Sequence, residues 1–151
     1  MKLFTILLLL SCFISCSLRP QKSIDDRINE AIELQKNNQP EKAMAIYYQV
    51  LPEVEDLSKR SVICYNLGAM YLWDRIFDKA YNMFYQAYIC DSILKDTVAM
   101  SSRLNRMGSA LNNMQDSLNG ERLQKKALHL AYAVNDCSAN CTATLNMYTN
   151  T

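Results

Sequence analysis

The sequence predicts an all-α protein made of stacked pairs of antiparallel helices. Three observations carry that expectation. Only three Gly and three Pro occur in 151 residues, too few for the frequent tight turns of an all-β chain. Half of the residues are apolar, enough for one domain with a core. Small residues recur at equivalent places, Ala31, Gly68 and Gly108, spaced 37 and then 40 residues apart. A period in that range marks repeated supersecondary units, none of which can bury its apolar face alone.

The first 15 residues stand apart. "MK" supplies a positive start, "LFTILLLL" an apolar run and "SCFISC" small residues ending in a cysteine. As a helix, Leu3 to Ile14 would span roughly 18 Å. A membrane's hydrocarbon core is about 30 Å thick. The stretch is too short to cross it and has the layout of a secretory signal; the competing reading is an ordinary buried helix. The ending "FISC" resembles the lipobox of bacterial lipoproteins, although the usual Leu at its first position is Phe13. "LLSC", ending at Cys12, is a second candidate that leaves an unusually short signal. The resemblance implies residues 1–15 as a lipoprotein signal peptide, Cys16 as the lipid-bearing residue and 16–23 as a linker. Several acyl chains anchor stably where one does so marginally.

The middle of the chain, "YNLGAMYLWDRIFDKAYNMFYQAY", holds Leu67, Gly68 and Tyr71, then Ala80, Phe84 and Ala87. This stretch resembles the tetratricopeptide repeat (TPR) pattern L-G-x2-Y…A-x3-F. The usual first-position Trp is replaced by Cys64. Gly inside a helix costs about 1 kcal/mol relative to Ala. Close approach of two helices at Gly68 and Ala80, with Tyr71 and Phe84 filling the space beside them, offsets that cost.

Upstream, "RINEAIELQKNNQPEKAMAIYYQVL" places Ala31 at the Gly68 position, Leu34 for Tyr71, Ala43 for Ala80 and Tyr47 for Phe84. Pro40 opens the second helix, where its missing N–H costs nothing. Downstream, "LNRMGSALNNMQDSLNGERLQKKAL" supplies Met107, Gly108, Leu111, Gly120 and Ala127. Gln124 stands there in place of Phe84. The resemblance therefore implies a TPR-like α-α superhelix, a solenoid of about three helix pairs (24–57, 58–95 and 96–134). The residues beyond the minimal period are expected in lengthened loops near "DLSKR" and "ILKDT". Residues 135–151 read as a short capping helix or as a truncated fourth one.

Sixteen Lys and Arg against fifteen Asp and Glu give a net charge of +1, which is no footprint for nucleic acid. No glycine-rich phosphate loop, nucleophile elbow or Ser/His/Asp set is present. The one histidine, His129, reads as a surface residue. Its spacing to Cys137 and Cys141 matches no strong zinc pattern. The expectation is a protein with no catalytic residues, no metal and no cofactor. Excluding Cys12 and Cys16, four cysteines remain. Cys64 starts one helix and Cys90 ends its mate, which leaves open a 64–90 disulfide in an oxidising envelope or two buried small residues.

In the family that the repeats resemble, the first helix of each pair lines a concave groove. The resemblance puts Asp25, Ile28, Ile32, Gln35 and Lys36 there in the first pair. It adds Val62, Tyr65, Ala69, Leu72 and Trp73 in the second, and Ser102, Asn105, Ser109, Asn112 and Asn113 in the third. Tyr65, Ala69, Leu72, Trp73, Asn105, Arg106, Ser109 and Asn112 are the expected peptide-binding set. Aromatics beside amides suit a peptide that needs both burial and backbone hydrogen bonds. Family members that clamp a peptide's C-terminal carboxylates use five polar residues. Asn66 and Arg106 match two of them, but Ile28, Ile32 and Ser102 stand at the others, so the clamp is excluded.

The reading that follows is a lipid-anchored scaffold of a bacterial cell envelope, at the outer membrane, binding a protein or peptide in its groove. The alternative is the periplasmic sensory part of a larger TPR signalling protein, motivated by the abrupt end at Thr151.

Overall fold

The computed structural model describes residues 22–133. The expected signal peptide, Cys16, nearly all of the linker and the segment 135–151 lie outside the described residues. Among the described residues there are six α-helices and one 3-10 turn. They are α1 (Ile24–Lys36), α2 (Pro40–Val50), the 3-10 turn (Leu51–Glu53), α3 (Leu57–Trp73), α4 (Phe77–Leu94), α5 (Thr97–Asn113) and α6 (Ser117–Ala133). They pair as α1–α2, α3–α4 and α5–α6, and α4 packs against α5 to join the second pair to the third.

The odd-numbered helices begin on side-chain caps. Ser23, Asp56 and Asp96 each accept a hydrogen bond from a backbone N–H three residues on, which satisfies a donor that the helix leaves open. α2 and α4 have no such cap. Their starts are set by the preceding turn instead, and in α2 also by Pro40. In each pair the first helix ends with one residue at positive φ: Asn38, Arg75 and Gln115. The N–H of the next residue then bonds five residues back, as in Ile76 to the Tyr71 carbonyl (2.8 Å) and Asp116 to the Leu111 carbonyl (3.0 Å). This is the left-handed helix stop usually built on glycine. Here the three turns repeat at the 37- and 40-residue spacing with no glycine in any of them.

Instead, all three glycines sit at helix crossings. A Cβ on Gly68 would lie 2.8 Å from the Phe84 ring. The ring itself covers the glycine, rather than filling space beside it as expected. A Cβ on Gly108 would lie 2.7 Å from the backbone oxygen of Gly120, so α5 and α6 meet main chain to main chain. The expected packing residues Ala31, Ala43, Leu67, Tyr71, Ala80, Phe84, Ala87 and Ala127 are all buried. All but Ala87 and Ala127 fall in two clusters. Ile28, Ala31, Ala43, Tyr47, Val50, Ile63 and Leu67 join the first pair to α3. Tyr71, Ala80, Phe84, Met107 and Ala110 join the second pair to α5. α3 therefore contributes one face to each cluster.

One feature departs from expectation, and one open alternative is decided. The residues of "DLSKR" from Leu57 onward belong to α3, and Ile93 and Leu94 belong to α4. The added length is therefore largely helical: α3 to α6 have 17 or 18 residues, against 13 and 11 in α1 and α2. Extending a helix satisfies each added backbone group within the element, which a loop does not. Cys64 and Cys90 are free thiols, not a disulfide. Both are buried, and the Cys64 thiol points to the side-chain oxygen of Gln86 (3.8 Å).

The crossings and turns predict opposite outcomes for two single substitutions. Gly108→Ala lowers the unfolding midpoint, because overpacking against a backbone atom costs about 1–3 kcal/mol and exceeds the helix-propensity gain of about 1 kcal/mol. Arg75→Gly raises it, because a non-glycine left-handed residue carries roughly 1–2 kcal/mol of strain. Thermal unfolding of both variants by circular dichroism reads the two signs.

Candidate functional site

The expected groove residues differ in how far they are exposed. Trp73 is 86% exposed at the end of α3. It lines a crevice of about 290 Å³ with Ala69, Met70 and Asp74, and with Gln35, Asn38 and Pro40 of the first pair. The crevice thus bridges the first and second pairs. Of its residues, Gln35, Ala69 and Trp73 were expected on the groove. Asn38 and Asp74 were not, since they belong to the turns, where spacing along a helix says nothing about facing, nor was Pro40, the first residue of α2. Met70 was not either, since most of it is in the core.

Tyr65 is half-buried. Its ring tilts against Phe84 at 5.7 Å between centroids, and the Arg103 guanidinium of α5 lies 4.3 Å above it. Arg103 also pairs with Asp91 of α4 at 3.0 Å, and Asp91 accepts a hydrogen bond from Ser61 of α3. Asp91 is buried and the Arg103 side chain is 13% exposed. Removing one partner of such a pair is strongly destabilising, because the other is left charged and dry. The network therefore fixes Tyr65 as a wall between repeats. Leu72 is half-buried against the Tyr71–Phe84 cluster.

The amide-rich stretch of the third pair is corrected most. Asn105, expected on the groove, is 2% exposed. Asn112 is half-buried under Gly120; its amide nitrogen reaches Gln124 at 3.5 Å, and its side-chain oxygen is buried without a hydrogen-bond partner among the described residues. Gln124 is 2% exposed and occupies the place that Phe84 has in the second pair. With glycines at both 108 and 120, α5 and α6 approach so closely that amides, not an aromatic ring, fill the gap. Asn112 therefore belongs to that packing. Ser109 is half-buried and bonds to the Asn105 carbonyl of its own helix (3.1 Å), and Arg106 is half-buried. Asn66, one of the two clamp-like residues, is engaged inside, donating to the Tyr47 hydroxyl at 3.0 Å. Of the expected peptide-binding set, Ala69 and Trp73 share the crevice, and the third-pair residues are not brought to it.

Among the described residues, no cluster of three or more His, Cys, Asp or Glu is placed to hold a metal, and no helix is long and apolar enough to cross a membrane. No family model and no curated protein matches the chain. Among solved structures it is similar to the N-terminal domain of stress-induced protein-1 (STI-1) from C. elegans, with a TM-score of 0.65 and 14% identity. The match covers 84% of this chain and 99% of that one. At that identity the likeness is one of fold, a TPR-like helical stack.

Burial pushes the Cys64 thiol up to about 11, and Cys90 is raised by the same cause. Tyr47 is pushed up to about 12 by burial, partly opposed by the hydrogen bond from Asn66. In the unfolded chain a thiol ionises near 9. Between about pH 9 and 11 the unfolded state therefore sheds protons that the native state keeps. Stability falls as pH rises through that window, by up to about 1.4 kcal/mol per pH unit for each thiol that remains protonated. Denaturant titrations at successive pH values measure the slope, and Cys64→Ala makes it shallower.

Proposed function

We propose that the protein is a scaffold that holds a segment of another protein against the inner face of its first two helix pairs, with no catalysis of its own. Trp73 is the observation that carries this reading. A tryptophan 86% exposed beside a crevice is out of keeping with a purely structural role, and tryptophan is prominent among residues that dominate binding energy. Ala69, Met70 and the indole offer an apolar seat, while Gln35 and Asn38 offer amides to a peptide backbone. A peptide needs both, since burying its backbone polar groups without partners is costly. The likeness of fold to a TPR-like domain supports the same direction.

The location belongs to the proposal as well. The positive start, apolar run and "FISC" ending support lipid attachment at Cys16 in a bacterial envelope, at the outer membrane. The body would then be held by acyl chains, because its charges are nearly balanced.

A photo-crosslinking residue at position 73, introduced in cells, tests the groove, with position 125 on α6 as control. A discrete adduct from 73 alone, lost on Ala69→Glu, is the expected result; a folded protein that gives no adduct, or the same adduct from both positions, refutes the reading. In the same cells Cys16→Ala is expected to move the protein from the membrane to the soluble fraction.

A further inference from the structure

Where the Trp73 crevice holds part of another protein, its lining selects the side chain that it holds. The crevice measures about 290 Å³, just under the roughly 300–1,000 Å³ of sites that enclose a whole small molecule. That is room for one large side chain. Its apolar wall is Pro40, Ala69, Met70 and the exposed indole of Trp73. Gln35 and Asn38 add neutral amides, and among the described residues that line it Asp74 alone is charged.

Asp74 stands where helix stability argues against it. It caps the C-terminus of α3, and that end of a helix carries partial negative charge, which disfavours an acid. No basic residue in the last turn of α3 offsets it. The equivalent caps of α1 and α5 are Asn37 and Met114, so the charge is particular to this repeat and is not required by the turn. Asp74 is exposed, and its carboxylate forms no ion pair or hydrogen bond among the described residues. Neighbouring bases do not answer it: Lys36 is paired with Glu33 at 2.7 Å, and Arg75 does not line the crevice. An open carboxylate and an open indole face in one crevice are complementary to a cation on an apolar stem. The cation gains from both the ring and the carboxylate, while its methylenes cover Ala69 and Met70. A leucine would desolvate the carboxylate without giving it a partner, and an acid would be repelled.

We infer, resting on the groove reading above, that the crevice seats a lysine or arginine side chain of the bound protein segment, with its cation between Asp74 and the Trp73 indole. Trp73 is the chain's only tryptophan, so its emission reports the crevice directly. The test titrates the purified full-length chain with tryptophan-free random peptide mixtures that differ only in the residue fixed at the centre: Lys, Arg, Leu, Gln or Glu. The Lys and Arg mixtures are expected to bind roughly tenfold tighter than the other three, the scale of one cation–π contact plus one exposed ion pair. Asp74→Asn reduces that margin about threefold, and Asp74→Lys abolishes it. Both variants remove an acid from a helix C-terminus, so the fold is kept, which circular dichroism checks. Leu or Glu mixtures that bind as tightly as the Lys mixture, or a Lys preference that both Asp74 variants retain, overturn this inference and leave the groove reading standing. A folded chain whose emission none of the mixtures changes overturns both.

Discussion

The rest of the structure depends on how closely the two helices of a pair approach. At Gly68 the limit is the Phe84 ring, and at Gly108 it is the backbone of Gly120 itself. A helix that accepts glycine gives up about 1 kcal/mol of propensity. It gains contact between surfaces that larger side chains would hold apart. Small residues recur at the equivalent places Ala31, Gly68 and Gly108, so each pair crosses at the same point of its first helix. That regularity lets pairs stack, and stacking completes the core that a single pair leaves open. The turns show the converse: the left-handed positions at Asn38, Arg75 and Gln115 carry side chains, so the scarce glycines serve interhelical distance and not chain reversal.

Within that regular frame the pairs differ in chemistry. The second pair closes on an aromatic ring, and it is joined to the third by a buried Ser61–Asp91–Arg103 network with Tyr65 beneath the guanidinium. The third pair closes on amides, Gln124 with Asn112, around two glycines. A buried amide that lacks a full set of partners costs stability that an apolar side chain would not. The third pair is thus less well compensated internally, and α4, which touches both the second and third pairs, carries much of the stack's continuity. The surface roles follow from this division. Positions turned into these networks are unavailable for binding, and the first two pairs supply the Trp73 crevice.

The contrast between Tyr65 and Trp73 shows where reading the sequence succeeds and fails. Both lie on α3 at positions that the family resemblance assigns to the groove. One is held between Phe84 and Arg103, and the other stands in solvent. Nothing local separates them: what decides is Arg103, 38 residues along the chain from Tyr65. Asn105 and Asn112 misled for a related reason. Amides read as surface residues because burying them usually costs free energy, and the glycine-to-glycine approach that makes room for them becomes visible only when α5 and α6 are in place.

The sequence by itself determined the helices, their pairing and the residues at their crossings. A small residue repeated at similar spacings, with large side chains at set offsets, admits few other packings, because sterics act between neighbours on one helix face. Only the tertiary structure decided which face of each pair remains open, that the added residues lengthen helices, and that Cys64 and Cys90 stay apart as buried thiols. Those outcomes rest on contacts between residues distant in the chain, whose angles and separations are set by the stack as a whole and leave no periodic trace in any one segment.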